Sequence, residues 1–233
     1  FYHAILRELP KKNIIIDPLR KTAIGADASF YKLVPQIIVD IQSEKQVGIV
    51  LREARKRKLP MTFRAAGTSL SGQSISDSIL IRMGQGWDGF HIYDKARFIQ
   101  LQPGIIGGSA NRHLAPFGRK IGPDPASIDT AKIGGILANN SSGMCCGVEQ
   151  NSYQTIESIR LVLLDGTVVD TSDDKSVANF RKIRADLLNR LAELRRQVMA
   201  DTDLAHRIKH KFKIKNTTGY SLNALVDYED PLD

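Results

Sequence analysis

Cysteine is nearly absent from this chain. Its 233 residues hold two, side by side at Cys145 and Cys146. Adjacent thiols bridge only under strain and cannot make a disulfide framework, so a reducing compartment is expected. Aromatic residues amount to 6% with a single Trp, too few to interleave with the basic clusters as a nucleic-acid platform would require. Long apolar runs are missing as well: stretches such as 159–164 are strand-sized, far short of the roughly 18 residues of a membrane helix. Phe1 is preceded by no Met, charged n-region or cleavage site. The expectation is therefore a piece of a longer polypeptide without a secretory signal, located in the cytoplasm. What remains is an ordinary globular composition, 42% hydrophobic and 25% charged, which excludes disorder and collagen. With 33 basic and 25 acidic residues the net charge is +8, which attracts anions without selecting among them. The length allows one large domain or two small ones.

Periodicity divides the chain. Residues 1–9 read as a short amphipathic helix ending before Pro10, and 14–17 as an irregular lead into Pro18. The β-branched run 36–41 is a strand. Ser43 and Gln46 then form a capping box ahead of a helix with Val47, Val50, Leu51 and Ala54 on one face. That helix ends in the basic run 55–58, and a short buried strand over 61–63 completes a βαβ unit. Strands are predicted over 78–83 and 98–102, and a helix over 106–117 stopped by Gly118. Residues 122–147 are rich in Gly, Pro, Ser and Asn, a length of irregular chain that usually carries function. Residues 159–169 read as a hairpin with a type I′ turn at Asp165-Gly166, and 176–200 as one long helix striped by Ile183, Leu187, Leu191, Leu194 and Val198. A boundary is expected within 209–220.

The chemistry concentrates in Arg64-Ala-Ala-Gly-Thr-Ser-Leu-Ser-Gly-Gln73. Within it, Gly67-x4-Gly72-Gln73-Ser74 is one residue from a P-loop, with Gln73 where the phosphate-binding lysine belongs. Backbone N–H groups and the hydroxyls of Thr68, Ser69 and Ser71 would suit a diphosphate better than a magnesium triphosphate. On spacing alone, a small-residue turn that lets two elements pack closely stands equal to this reading. A second pattern, Gly84-Gln-Gly-Trp-Asp-Gly89, follows a strand but leads into extended chain and lacks the acidic residue about 20 positions on, so it reads as a loop. Gly134-Gly135 admits close backbone approach, and the stretch 139–142 adds uncharged donors and acceptors, suited either to a cofactor's edges or to a polar turn. His206 and His210 stand four apart among Arg207, Lys209 and Lys211, which makes a solvated basic face.

In order along the chain, these stretches resemble the FAD-linked oxidases and dehydrogenases of the vanillyl-alcohol-oxidase (PCMH-type) superfamily. The likeness is nearest to the branch that acts on D-lactate, glycolate and D-2-hydroxyglutarate. The pieces that carry it are Asp17-Pro-Leu-Arg20, Asp27-Ala-Ser-Phe-Tyr31, the 63–73 loop, Gln102-Pro-Gly104, Gly122-Pro-Asp-Pro125, Ile133-Gly-Gly135 through Asn140, and Lys215-Asn-Thr-Thr-Gly-Tyr220. Cys145-Cys146-Gly147 and the basic helix after the hairpin resemble large members fused to an iron–sulfur domain.

The resemblance implies an α+β, PCMH-type FAD-binding domain of two α/β subdomains. After an N-terminal entry segment over 1–34, the first subdomain would span 35–104 and the second 105–233, the latter incomplete, with the substrate domain beyond it. Ala66, Gly67, Thr68, Ser69, Leu70 and Gln73 would hold the diphosphate. Pro103, Gly104, Pro125, Thr130, Ile133, Gly134, Gly135 and Asn140 would line the cofactor, with Gly147 and Ile156 near the adenine. Lys215, Asn216 and Thr217 would stand toward the substrate. Thr68 or Ser69 occupies the position of the flavin-linking histidine of some members, so FAD would be held non-covalently. Catalytic residues are expected in the substrate domain and no metal site in this chain. The implied reaction is hydride transfer from a 2-hydroxy acid to flavin N5, with electrons leaving through an iron–sulfur module, and contact with the periphery of an inner membrane left open. Two rivals are carried forward: a FAD- and NADPH-dependent sugar-nucleotide reductase of the same superfamily, and a non-catalytic basic domain that binds anions or nucleic acid.

Overall fold

The computed structural model describes residues 1–143, 147–216 and 221–233. The adjacent cysteines at 145 and 146 and Thr217 lie outside the described residues, so expectations placed on them are not addressed by it.

A four-stranded sheet forms the first half, in the order β1 (Ile14–Ile15), β2 (Ile37–Ile41), β4 (Ile79–Met83), β3 (Met61–Arg64). β1 runs antiparallel to β2, whereas β2 and β3 both run parallel to β4. The βαβ unit is therefore present with its two strands parallel, but β4 is inserted between them. As the edge strand, β3 is less buried than predicted, and Phe63 is 42% exposed. The segment expected to be irregular before Pro18 contains the paired strand β1. It also leads into helix α2 (Pro18–Ile24), whose first turn is capped when the Asp17 carboxylate accepts a hydrogen bond from Arg20 N. The opening helix α1 is shorter than expected, Tyr2–Ile5.

Alternation along the strands gives the sheet two different faces. On one, Ile37, Val39, Ile41, Ile79 and Ile81 pack with Val47, Val50, Leu51 and Ala54 of helix α3 (Glu44–Lys56) and with Ile5 and Leu9. On the other, Ile15, Ile38 and Leu80 pack against Ile24. Ser43 caps α3 as expected, its hydroxyl accepting from Gln46 N at 3.4 Å. The returning bond lands one residue earlier than a capping box prescribes, from Gln42 N to Gln46 Oε1 at 2.7 Å.

Strands β5 (Phe90–Tyr93) and β6 (Phe98–Leu101) pair antiparallel. The predicted helix follows as α4 (Gly107–Leu114) with one 3-10 turn, and Gly118 at φ +65° ends it. The stretch read as irregular, 122–147, contains a short helix, α5 (Ile133–Ala138), and a second, α6 (Ser152–Thr155), follows it. A second core gathers there from Ile105, Ala131, Ile133 and Ile136.

The hairpin of β7 (Arg160–Val162) and β8 (Val168–Asp170) docks on the first core through Val162 and through Arg160, which donates to Glu44 at 2.6 and 3.0 Å. Its turn is not type I′. Gly166 alone adopts positive φ, +87°, and Gly166 N donates to Leu163 O, giving a three-residue loop with a bulge. Asp165 stays out of the left-handed region because its carboxylate accepts from Thr167 N at 2.9 Å.

The single long helix is two, α7 (Asp174–Ile183) and α8 (Ala185–Ala200). They break at Arg184, whose guanidinium reaches back to Asp165 at 2.7 Å. The stripe is interrupted accordingly: Ile183 and Leu194 are exposed, and α8 buries no residue among those described. Helices α9 (Thr202–Lys211) and α10 (Ala224–Asp227) pack beside α8. Among the described residues no helix is long and apolar enough to cross a membrane.

Candidate cofactor site

The glycine-rich loop leaves the carboxyl end of β3, the end of a parallel sheet where ligands collect. Gly67 turns it at φ +73°, a conformation that side chains with a Cβ rarely adopt. From Ala66 to Leu70, none of the five backbone N–H groups donates to an acceptor among the described residues. Successive unpaired amides are the donors from which an anion nest is built. Leu70 projects outward at 74% exposure. The Ser69 hydroxyl donates to Gln73 Oε1, which closes the loop on itself.

What holds the loop open is the segment that precedes β2. Arg64, only 7% exposed, donates from Nε to Ser74 O at 2.7 Å, and from Nη1 to Ile24 O at 2.6 Å and Ala26 O at 3.1 Å. The guanidinium thus ties both ends of the loop to the turn after α2. Asp27 does the same from the other side: its carboxylate accepts from Ser74 Oγ at 2.7 Å and from Ser29 N at 2.9 Å. Ala28 N donates to Gly67 O at 3.0 Å, and a Cβ on Gly72 would meet the Tyr31 ring at 2.8 Å. Burial pushes the Asp27 carboxyl upward, but hydrogen bonds from Ser29 and Ser74 and the charge of Arg64 outweigh it and hold the group below the usual 3.8. Sequence reading placed Asp27 and Arg64 in their motifs but gave neither a role. Their partners are backbone carbonyls and hydroxyls up to 47 residues away, for which sequence carries no local signal.

The second half of the site is brought to this loop by α5. Gly135 faces Ala65, where a Cβ would lie 3.2 Å from the Ala65 Cβ, and Gly134 faces Pro103 at 3.1 Å. Gly134 N donates to Pro103 O and Ile133 N to Ile105 O, both at 2.9 Å. These glycines therefore offer a wall without side chains rather than free donors. Gly104 is held by a bond from its N–H to Trp87 O at 2.9 Å. Ala66, Gly67, Pro103, Gly104, Ile133, Gly134 and Gly135 thus form one neighbourhood.

A second neighbourhood lies at the other end of α5, about 9 Å along the helix axis. Asn140, at φ +42°, accepts from Tyr153 N at 2.9 Å through Oδ1. A Cβ on Gly122 would meet the Thr155 side chain at 2.6 Å, and one on Gly143 would lie 3.9 Å from Asp124 O, next to Pro125 in the chain. Thr130 is exposed and turns its hydroxyl to Ser127 O at 3.1 Å. Gly147 stands in open space. Lys215 and Asn216 follow α9 in the chain. The Gly84–Gly89 pattern is a loop, as read. His206 and His210 are exposed on α9, and no group of three or more metal-ligating side chains occurs among the described residues.

Residues 35–172 match the family of FAD binding domains. The chain belongs to that family. The span begins with β2 and ends after the hairpin that docks on α3, so the FAD-binding domain contains the loop and both neighbourhoods joined by α5. Among curated proteins, the chain is similar to D-2-hydroxyglutarate dehydrogenase of Haemophilus influenzae, 23% identical over 215 residues, covering 84% of this chain and 21% of the relative. The Pantoea ananatis protein of the same name is 27% identical over 155 residues, 65% of this chain and 15% of the relative. Glycolate oxidase subunit GlcD of Escherichia coli is 27% identical over 148 residues, 63% and 30%. The chain thus spans less than a third of the length of each. Among solved structures, 6-hydroxy-D-nicotine oxidase from Arthrobacter nicotinovorans superposes with a TM-score of 0.58 at 22% identity, over 67% of this chain and 35% of that one. Alkyldihydroxyacetonephosphate synthase reaches 0.63 at 18%, over 76% and 37%. These likenesses bear out the α+β fold of an FAD-binding domain.

Proposed function

We propose that this chain is the FAD-binding part of an oxidoreductase that oxidises a D-2-hydroxy acid of the lactate, glycolate or 2-hydroxyglutarate class. The observation that carries the reading is the run of five unpaired amides at the carboxyl end of β3, one of three parallel strands. It occurs in a chain whose curated relatives are named for those acids. The residues fit the cofactor: the loop offers donors without a fixed cation, Gly134 and Gly135 leave bare surface, and α5 spaces two neighbourhoods along an extended ligand. FAD, when bound, supplies the hydride acceptor, while the protein binds and orients it.

In this reading Ala66, Gly67, Thr68, Ser69, Leu70 and Gln73 hold the diphosphate. Pro103, Gly104, Thr130, Ile133, Gly134 and Gly135 wall the cofactor, and Pro125, Asn140, Gly147 and Ile156 lie toward its far end. Residues 65–73 contain neither His nor Cys, so the attachment is non-covalent. Lys215, Asn216 and Thr217 stand on the substrate side, the two subdomains meet near 104, and an iron–sulfur module is the onward electron acceptor. No catalytic residue is assigned to this chain.

The test is a visible spectrum of the purified full polypeptide, followed by anaerobic addition of D-lactate, glycolate or D-2-hydroxyglutarate. A yellow protein bleached by one of these acids is expected. A protein without flavin would overturn the reading, and bleaching by NADPH alone would favour the sugar-nucleotide reductase.

A further inference from the structure

Three cations meet where β2, β4 and β3 end. Among the residues that line the cleft there Asp40 is the single carboxylate, Asp27 and Asp88 attracting Arg64 and Lys132 from outside it. Asp40, Arg82 and Arg64 lie in a single row across the sheet, in register from strand to strand. Arg82 is committed to Asp40 by a bidentate pair at 2.7 and 2.8 Å. Arg64 is spent on three carbonyls, and its Nη2, although buried, has no partner. The third cation arrives from the other half of the site. Lys132 stands just before α5 and extends its ammonium to Met83 O at 2.8 Å. Among the described residues it has no carboxylate within ion-pair distance. Burial, then the charge of Arg82, lowers its pKa against the attraction of Asp40 and Asp88.

Arg64, Arg82 and Lys132 line one cleft together with Ala65 and Ala66, which begin the glycine-rich loop. Positive charge in excess of its counter-charge is costly away from bulk water, and an anionic ligand relieves that cost. Arg82 and Arg64 are held by several bonds each. Lys132 is held by one, on a four-carbon stem that can swing.

We propose that Lys132 is the cationic ligand of the dinucleotide's diphosphate, supplying from the start of α5 the charge that the loop lacks at Gln73. This rests on the FAD reading above. In a P-loop the lysine belongs to the loop itself; here it comes from a residue 59 positions after Gln73 in the chain and reaches the loop because Gly135 packs on Ala65.

The experiment titrates the apo form of the full polypeptide with FAD and with riboflavin, which lacks phosphate, at low and high salt by flavin fluorescence. Lys132→Met, which keeps the apolar stem, is expected to weaken FAD about tenfold at low salt and to flatten the salt dependence, as loss of one charge-assisted contact should. Riboflavin binding stays unchanged, and Lys132→Arg restores FAD. Equal weakening of both flavins, or unchanged FAD affinity, would overturn the assignment and leave the FAD reading standing. A parent protein that binds no FAD at any salt would sink both. Should Lys132→Met not fold, the parent decides: FAD affinity that falls no faster with salt than riboflavin affinity refutes the role.

Discussion

Gly67 shows how one missing Cβ supports a site. Its φ of +73° is open to glycine and strained for other residues, and a Cβ there would lie 3.3 Å from Cδ of the buried Arg64. Gly67→Val is expected to abolish flavin retention by the full polypeptide while leaving the far-UV spectrum folded; a normal flavin-to-protein ratio would contradict the loop assignment. Asp27 acts through its charge. A carboxyl held below its ordinary value contributes stability that is complete above the unfolded pKa near 3.9 and is lost as pH falls through the folded value. Thermal melts of the parent should therefore lose this contribution as pH drops below about 4, and Asp27→Asn should be less stable at neutral pH with a flatter acid limb. Gly67 was legible from its motif. Asp27 and Arg64 acquired their parts only when the turn after α2 met the far end of the loop.

At the scale of elements, local signals held wherever one side chain satisfies one terminus. Ser43 before a 3–4 periodic stripe predicted α3, and Ser43→Ala should cost about 1 kcal/mol in denaturant unfolding without changing flavin affinity. Gly118 ended its helix at positive φ, as its position demanded. Local signals misled where a tertiary contact outbid them. Asp165-Gly166 reads as a two-residue turn, but the Asp165 carboxylate is engaged by Thr167 N and Arg184, which fixes a three-residue loop instead. The same arginine breaks the predicted long helix. The irregular reading of 122–147 missed α5 because Ile133-Gly-Gly135 has poor helix propensity; packing on Pro103 and Ala65 makes it helical.

For the whole molecule, the decisive contact is α5 against the loop. It joins a core built on the parallel sheet to a second core around Ile105 and Ile136. Gly135→Val would drive a branched side chain into Ala65, whose Cβ would lie 3.2 Å from the new Cβ. Lower melting temperature and at least tenfold weaker FAD binding are expected together, roughly the 1.4 kcal/mol that a tenfold change represents. Loss of stability with FAD affinity intact would separate the two halves of the site.

Alternation and periodicity along the chain determined β2, β3 and β4 of the main sheet, helices α3 and α4, and the glycine-rich turn after β3, because each of these depends on neighbours a few residues apart. Tertiary structure decided the rest: β4 inserted between β2 and β3, the clamp of Asp27 and Arg64 on the loop, and a lysine carried to the loop's edge on another element. Those features depend on groups distant in sequence being desolvated together, and no local pattern encodes which distant charge or carbonyl will be the partner.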